Sequence, residues 1–343
     1  MNQKLTRILL ETTIRNTIKD IRQDPERRIR NLVDLALYFS HGRFQKQFLE
    51  TAREMLEKED SAYYILVQDL VSSVHMERLV TFGMNVGYNG CITGARTIRQ
   101  IEEKEGFNIP WCLSLMLEET TLAANRELYL KLIRQGEKLG IHTWLLHIPR
   151  LTPELLKLTS LFPDSAFLLF CLPDSITPKL LAAGRSLNNL MFVCLYQKNT
   201  QEACQHICRS MRQQDYLYGL CLPYGSQDRG KIRDRVFLRE VLRLKPAFTF
   251  FTPNERLEES AWESFYSEIK KLRLGQEYPT VFLELMQDNR WIDSIISSEG
   301  LSGGFLPSGQ FFSLKGPEKN EKANLFSHEL KDILKLAFPK GKG

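Results

Sequence analysis

From Trp111 onward, short apolar runs alternate with amphipathic stretches, and this alternation constrains the fold more than any other feature of the chain. Strands separated by helices pair in parallel through right-handed crossovers, and strands this apolar are buried on both faces. The pattern predicts an α/β fold, either a partial barrel or an open sheet. The predicted strands are 111–117, 143–148, 166–172, 190–196, 218–222 and 248–252, and the predicted helices are 126–139, 153–162, 177–183, 200–213 and 231–244.

The first hundred residues are predicted to be helical. Asp24 followed by Pro25 is typical of an N-cap with proline at the first helical position, and the helix that it begins is expected to stop at Gly42. Two further helices are expected near 44–57 and 61–75. The helix before Asp24 has one apolar stripe at helical spacing, formed by Leu10, Ile14, Ile18 and Ile21.

The segment 76–106 is spaced by glycines at positions 83, 87, 90 and 94. Glycine at this spacing on a helix lets a second backbone approach closely, although each costs about 1 kcal/mol relative to alanine. A phosphate-cradling loop would need a GxGxxG pattern after a strand, and the segment has neither. The spacing therefore favours a closely packed or kinked helix pair over a ligand-binding loop.

The region after the alternating pattern is predicted to contain a helix at 258–273, a strand at 281–285 and a hairpin at 303–314 that turns at Pro307-Ser308-Gly309. A basic, lysine-spaced helix or tail follows. These features predict three segments. They are a helical N-terminal region (1–106), a partial βα barrel (107–290) and a C-terminal extension with the hairpin and the basic tail (291–343).

The distribution of charge narrows the class of partner. The net charge is +5, but residues 1–30 carry eight Lys/Arg against four Asp/Glu and residues 315–343 carry seven against four, so the interior has a net charge of −2. The interior has no basic stripe interleaved with aromatic residues, so we expect no nucleic-acid partner. We also expect no membrane contact, because the polar face of the first helix is mixed in charge.

Cysteine usage and hydropathy predict a cytoplasmic protein. No run of about 18 apolar residues is present, and residues 1–10 lack the apolar core of a signal peptide. The seven cysteines are odd in number and scattered singly, unlike the disulfide framework of a secreted domain. We therefore expect them to be reduced thiols in the core.

Several short segments occur in the order and at the spacing found in one family. They are Asp24-Pro25-Glu26-Arg27, Val33-Asp34, Ser40-His41-Gly42, Gly94-Ala95-Arg96, the stretch Glu105-Gly106-Phe107-Asn108-Ile109-Pro110-Trp111, and Arg134-Gln135-Gly136-Glu137-Lys138-Leu139-Gly140. Together they resemble a bacterial, clostridial-type group of radical S-adenosylmethionine (SAM) proteins with a helical N-terminal region. The resemblance implies a partial (βα)6 TIM-like barrel of the radical SAM type.

The resemblance breaks at both cofactor positions. The family's CxxxCxxC motif, whose thiolates hold a [4Fe-4S] cluster, follows the first strand, but residues 118–125 contain no cysteine and none lies between Cys112 and Cys171. After the second strand, the family's GGEP segment holds the amino group of SAM, whereas this chain has His147-Ile148-Pro149-Arg150. We therefore predict that cluster and SAM binding are both lost, and we predict no other cofactor or metal.

Two other groups imitate metal sites, and both favour a structural interpretation. Cys204, Cys208 and Met211 match CxxxCxxC with methionine in the last place, but on a helix they form one stacked face of the kind that is buried in a core. His142 and His147 are five residues apart on a strand and point to opposite faces. Of the two histidines, His147 is the better pocket candidate because it ends a strand.

Sites in parallel α/β folds gather at the carboxyl ends of the strands. Glu118 and Glu119 are adjacent, so they diverge and do not form a catalytic pair, and a solvated loop is the favoured interpretation. GxSxG, P-loop and HExxH motifs are absent, and no catalytic residue is assigned. The possible pocket residues are Glu118, Glu119, His147, Asp174, Gln197, Tyr224, Asn254 and Asp288.

The leading hypothesis is a catalytically silent radical SAM homologue, a pseudoenzyme that acts as an accessory protein or scaffold for a protein partner such as an active relative. The alternative is a metal-free enzyme or small-molecule receptor that uses the former SAM pocket through His147, Glu118 or Asp288. A third hypothesis is a sensor that still binds S-adenosyl compounds.

Overall fold

The computed structural model describes residues 3–21, 25–39, 46, 50, 53–56, 58–297 and 299–340. Two compact units share the chain. Unit 1 comprises Met1–Val80 and Phe192–Asp288, and unit 2 comprises Thr81–Met191 and Asn289–Gly343. The three segments predicted from the sequence divide the chain differently and stay a prediction.

Helices and strands alternate through most of the described chain. The helices are α1 (Gln3–Asp20), α2 (Pro25–Phe39), α3 (Ala62–Ser73), α4 (Met76–Met84), α5 (Ala95–Glu105), α6 (Glu119–Ala124), α7 (Arg126–Leu139), α8 (Pro153–Ser160), α9 (Pro178–Ala183), α10 (Gln201–Gln213), α11 (Arg235–Leu242), α12 (Glu259–Gly275), α13 (Leu285–Ile296) and α14 (Leu330–Ala337). The strands are β1 (Cys112–Met116), β2 (Thr143–His147), β3 (Ala166–Cys171), β4 (Leu190–Leu195), β5 (Tyr218–Tyr224), β6 (Phe248–Pro253), β7 (Val281–Glu284), β8 (Gly303–Phe305), β9 (Phe311–Ser313) and β10 (Gly316–Pro317).

The N-terminal helices of unit 1 pack through the predicted apolar stripe. Ile18 of α1 and Ile21, which follows α1, are buried. Ile21 packs in one apolar cluster with Ile29 of α2, with Leu56, and with Tyr64 of α3. An ion pair from Arg15 to Glu77, 2.8 Å long, adds a polar tie between α1 and α4. The predicted N-cap Asp24, the predicted stop at Gly42 and most of the predicted helix 44–57 lie outside the described residues.

In unit 1 the strands lie in the order β4-β5-β6-β7, and neighbouring strands run parallel. Helices α10, α11 and α12 form the crossovers between them, as parallel pairing requires. The carboxyl ends of β5, β6 and β7 therefore share one edge of this part of the sheet. Cys204, Cys208 and Met211 of α10 are buried, which confirms the prediction that they pack in the core.

In unit 2 the strand order is β10-β9-β8-β1-β2-β3. Strand β1 pairs in parallel with β2 on one side and with β8 on the other. Strands β8 and β9 form the predicted antiparallel hairpin, and Gly309 in its turn has a φ of 79°, which favours glycine. The hairpin therefore extends the sheet at the edge of β1 opposite to β2.

The glycine-spaced segment forms a continuous helical stretch, in which a π-helix (Asn85–Gly94) joins α4 to α5. A Cβ atom at Gly94 would overlap the backbone carbonyl of Gly140, and one at Gly140 would overlap that of Gly94. Gly83 and Gly87, by contrast, have open space where a Cβ would lie. The predicted close approach of a second backbone is therefore found at Gly94, against the turn at Gly140, and not at Gly83 or Gly87.

One segment differs from its predicted conformation. Residues 118–125 were expected to form a loop, but α6 occupies most of them because Leu122 packs into the core with 1% of its surface exposed. A helix of this length is too short to display the apolar periodicity by which a sequence reveals helices. Within the described residues, none of the helices is long and apolar enough to cross a membrane.

Candidate functional site

In unit 1, a buried carboxyl group lies where β7 ends. Glu284 is fully buried, and its Oε1 accepts hydrogen bonds from the Tyr224 hydroxyl at 2.9 Å and from Trp262 Nε1 at 3.1 Å. Its Oε2 accepts from the backbone N–H of Gln287 at 2.5 Å. Burial raises the pKa of Glu284 to about 7 in spite of these donors. The carboxyl group therefore titrates near neutral pH.

A second carboxylate, Asp288, lies one helical turn further on. Arg273 donates to both of its oxygens at 2.9 and 3.0 Å, and Tyr266 adds a hydrogen bond from its hydroxyl at 2.9 Å. The backbone N–H of Glu284 also donates to Asp288, at 2.9 Å. We call Tyr224, Trp262, Tyr266, Arg273, Glu284 and Asp288 the carboxylate network. All four carboxylate oxygens of this network accept hydrogen bonds from the protein.

The raised pKa of Glu284 predicts a pH dependence of stability. An unfolded glutamate titrates near pH 4.3, so between about pH 4.3 and 7 the folded state keeps a proton that the unfolded state has lost. The contribution of Glu284 to stability therefore falls as the pH rises through this window, by up to about 4 kcal/mol, and it is constant above pH 7. Urea unfolding from pH 5 to 8 should show a smaller decrease for Glu284→Gln than for the wild type. The exposed Glu263→Gln variant should keep the wild-type slope, and an unchanged slope in Glu284→Gln would contradict the assignment.

The predicted pocket residues of unit 2 lie at the ends of neighbouring strands. His147 ends β2, and its ring stacks on Phe170 of β3 with 4.5 Å between ring centroids. Burial lowers the pKa of His147 to about 4, so its imidazole is neutral at pH 7. Glu118 and Glu119 follow β1, Asp174 follows β3, and all three are exposed. His147 is therefore the half-buried member of an otherwise exposed acidic edge.

The other predicted pocket residues belong to unit 1. Tyr224 and Asp288 are members of the carboxylate network. Asn254 follows β6, and its backbone N–H donates to the Tyr224 carbonyl at 2.9 Å. Gln197 follows β4 and is exposed, with its backbone N–H bonded to the Thr200 hydroxyl at 2.8 Å. The structure thus brings Tyr224 and Asp288 together through Glu284, and Asn254 joins them through the backbone of Tyr224.

Sequence reasoning missed Glu284 and its partner Trp262, and it missed Tyr266 and Arg273, the partners of Asp288. Glu284 was placed inside the predicted strand 281–285, whereas it is the last residue of β7. One signal was present: a charged residue terminating an apolar strand occupies the position where parallel sheets carry their polar sites. The partners gave no such signal, because they lie on the long amphipathic helix α12.

In the described part of the chain, the cysteines form no group of three side chains arranged to hold a metal ion. All seven cysteines are buried, and burial raises the pKa of Cys91 and Cys204 to about 12 and that of Cys221 to about 11. A thiol in such surroundings stays protonated at neutral pH. No group of three His, Cys, Asp or Glu side chains in the described part of the chain is arranged to hold a metal ion.

The segment after β2 also differs from a backbone clamp for the SAM amino group. The Ile148 N–H donates to the Phe170 carbonyl at 2.9 Å, and the Pro149 carbonyl accepts from Leu172 at 3.1 Å. Both groups are therefore occupied in joining β2 to β3.

Comparisons with known proteins identify the fold. No family model matches the chain, and no curated protein matches it. Among solved structures, it is similar to SuiB of Streptococcus suis bound to S-adenosylmethionine, with a TM-score of 0.50 and 9% identity over 70% of this chain. The match covers 66% of the SuiB chain, slightly less than two thirds of it. A second SuiB structure gives a TM-score of 0.48 and 11% identity, covering 89% of this chain and 81% of that one.

The predicted fold class is confirmed by the first of these matches. The chain has an α/β fold, a partial TIM-like barrel similar to that of SuiB, with an α-helical N-terminal region. An identity of 9% carries the likeness to the fold only.

Proposed function

We propose that this chain is a catalytically silent protein of radical SAM fold that acts through binding, as an accessory protein or scaffold. The observation that carries the proposal is the path of the chain after β1. Strand β1 passes through Leu117 and Glu118 directly into α6, which contains no sulfur donor. The chemistry of the radical SAM class begins with electron transfer from a thiolate-held cluster at this position.

The packing of the segment after β1 supports the proposal, because this segment is an ordered part of the core. The Leu117 N–H donates to the His147 carbonyl at 2.8 Å, and the Leu122 N–H donates to the Glu118 carbonyl at 2.9 Å. Leu122 is buried, so α6 is anchored to the core. The segment after β1 is therefore held in the core by apolar packing.

Anaerobic reconstitution with iron and sulfide tests the chemical part of the proposal. We expect the full chain to retain no more iron after desalting than a metal-free control protein, and to give no electron paramagnetic resonance signal after reduction. An active radical SAM enzyme treated in parallel supplies the positive control. A brown chain with stoichiometric iron and sulfide would overturn the proposal.

The binding part is tested by affinity purification of the full chain from its native host. The proposed partner is a protein such as an active radical SAM relative, and a stoichiometric complex that survives gel filtration supports the scaffold role. Purification of the chain alone, together with a metabolite that stabilises it, would favour the second candidate.

That second candidate is a metal-free enzyme or small-molecule receptor, and the environment of His147 favours it. A neutral imidazole stacked on Phe170 has one nitrogen that donates and one that accepts a hydrogen bond, at the carboxyl end of β2. Thermal-shift measurements with metabolites, including S-adenosylhomocysteine for the sensor hypothesis, separate it from the scaffold role. A stabilisation that His147→Gln abolishes and Asp174→Asn retains would support this candidate.

A further inference from the structure

A groove in unit 1 carries three arginines in a row. Arg235, Arg239 and Arg243 line it together with Leu242 on one side and the segment Glu277, Tyr278 and Pro279 on the other, and its volume is about 400 Å³. The groove lies where α11 leads to β6 and where the chain enters β7. It is therefore at the amino ends of these strands, away from the carboxylate network.

The two walls of the groove are fixed by the fold. Leu238 and Val241 of α11 are buried, which sets the rotation of the helix and leaves Arg235, Arg239 and Arg243 exposed on the opposite face. Residues four apart rise about 6 Å along a helix, so the arginines follow one another along the groove. A site whose supporting elements are packed in this way needs little reorganisation to bind a ligand.

The opposite wall is held equally firmly. The Gln276 carbonyl accepts a hydrogen bond from the Ala62 N–H at 2.9 Å, and the Thr280 hydroxyl is buried against that of Thr249 at 3.0 Å. Between these anchors, the Tyr278 ring packs edge-on against Phe282 with 5.7 Å between centroids. Tyr278 therefore presents a positioned aromatic side chain to the groove.

The charge of the groove is unbalanced. Glu277 contributes its single carboxylate, 3.6 Å from Arg235, and no carboxylate within 4 Å of Arg239 or Arg243 is found among the residues that the structure describes. Like charges four residues apart destabilise a helix, and Arg235 in the first turn also opposes the helix dipole. An anion bound along the row would relieve both effects.

We propose that this groove binds a small organic diphosphate. Guanidinium groups donate paired hydrogen bonds to phosphate oxygens, and a diphosphate concentrates enough negative charge to engage Arg239 and Arg243 at once. A volume of about 400 Å³ is that of a small-molecule pocket. Tyr278 offers a ring and a hydroxyl to the organic part of the ligand.

Isothermal titration of the full chain with inorganic pyrophosphate, at constant ionic strength, tests the proposal. We expect saturable one-to-one binding that is tighter than the binding of inorganic phosphate. The Arg239→Gln/Arg243→Gln variant should weaken it by at least about tenfold, the equivalent of about 1.4 kcal/mol. The matched control, Lys198→Gln/Arg209→Gln, removes two exposed charges outside the groove and should change the affinity less than about twofold, since distant surface charges act only through screened attraction.

Three results would overturn the proposal. They are no saturable binding of pyrophosphate, equal weakening by the groove and control variants, or phosphate binding as tight as pyrophosphate binding. Affinity for a single-stranded oligonucleotide that grows with its length, without pyrophosphate binding, would assign the groove to nucleic acid instead. Because all four substituted side chains are exposed, circular dichroism and thermal unfolding should show that both variants fold normally.

Discussion

Replacing Asp288 with alanine is expected to lower the free energy of unfolding by about 3 to 5 kcal/mol, the cost of breaking a buried ion pair by removing one partner. The variant would leave the Arg273 guanidinium, whose side chain is 19% exposed, without its bidentate acceptor. The Tyr266 hydroxyl and the Glu284 N–H would lose their acceptor as well. An unpaired buried charge and two unsatisfied donors all act in the same direction.

Urea unfolding followed by circular dichroism measures this effect. Asp288→Asn keeps one acceptor oxygen and should fall between alanine and the wild type. Asp174→Ala, an exposed residue from the same set of predicted pocket residues, should change stability by less than about 0.5 kcal/mol. If Asp288→Ala cost no more than Asp174→Ala, the carboxylate network would not stabilise unit 1.

Replacing Gly94 with valine is expected to cost about 3 kcal/mol or more, or to prevent folding. The new side chain would overlap the backbone carbonyls of Gly140 and Asn89, and backbone cannot move aside as the end of a flexible side chain can. The π-helix that contains Gly94 and the turn at Gly140 would have to separate. The effect is steric, because Gly94 has an ordinary helical φ of −61°.

Gly87→Ala provides the matched control for this experiment. It lies in the same π-helix with nothing within 4 Å of the added Cβ, so alanine should leave stability unchanged or raise it by up to about 1 kcal/mol. Thermal unfolding of both variants, with soluble yield as a second measurement, separates the cases. Equal behaviour of the two would show that the close approach at Gly94 is not required.

The sequence predicted the alternating part of the fold well because buried parallel strands and amphipathic helices both leave a local pattern. The predicted strand at 143–148 and the observed β2 differ by one residue, and the predicted helix at 126–139 coincides with α7. The hairpin was also predicted, through its turn residues. Its place beside β1 was not, because that pairing joins Ser114 to Gly304 across most of the chain.

The candidate site was predicted less completely, for the same physical reason. Tyr224 and Glu284 end two strands and are 60 residues apart, and Trp262 reaches Glu284 from helix α12. No local sequence pattern encodes contacts between residues so far apart. The prediction therefore selected polar residues that follow strands and left out Glu284, which lies inside the predicted strand 281–285. The prediction placed His147 correctly at the end of β2. The environment of His147 was not predicted, because it depends on Phe170 of the next strand.

The outer strand of the unit 2 sheet has a consequence for how copies of this protein behave in solution. Strand β10 is two residues long, and one of them, Pro317, has no N–H to donate. Exposed sheet edges are where separate molecules join into larger β-structures, and a short strand with proline blocks such growth. On this side, the protein carries its own protection against edge-to-edge aggregation.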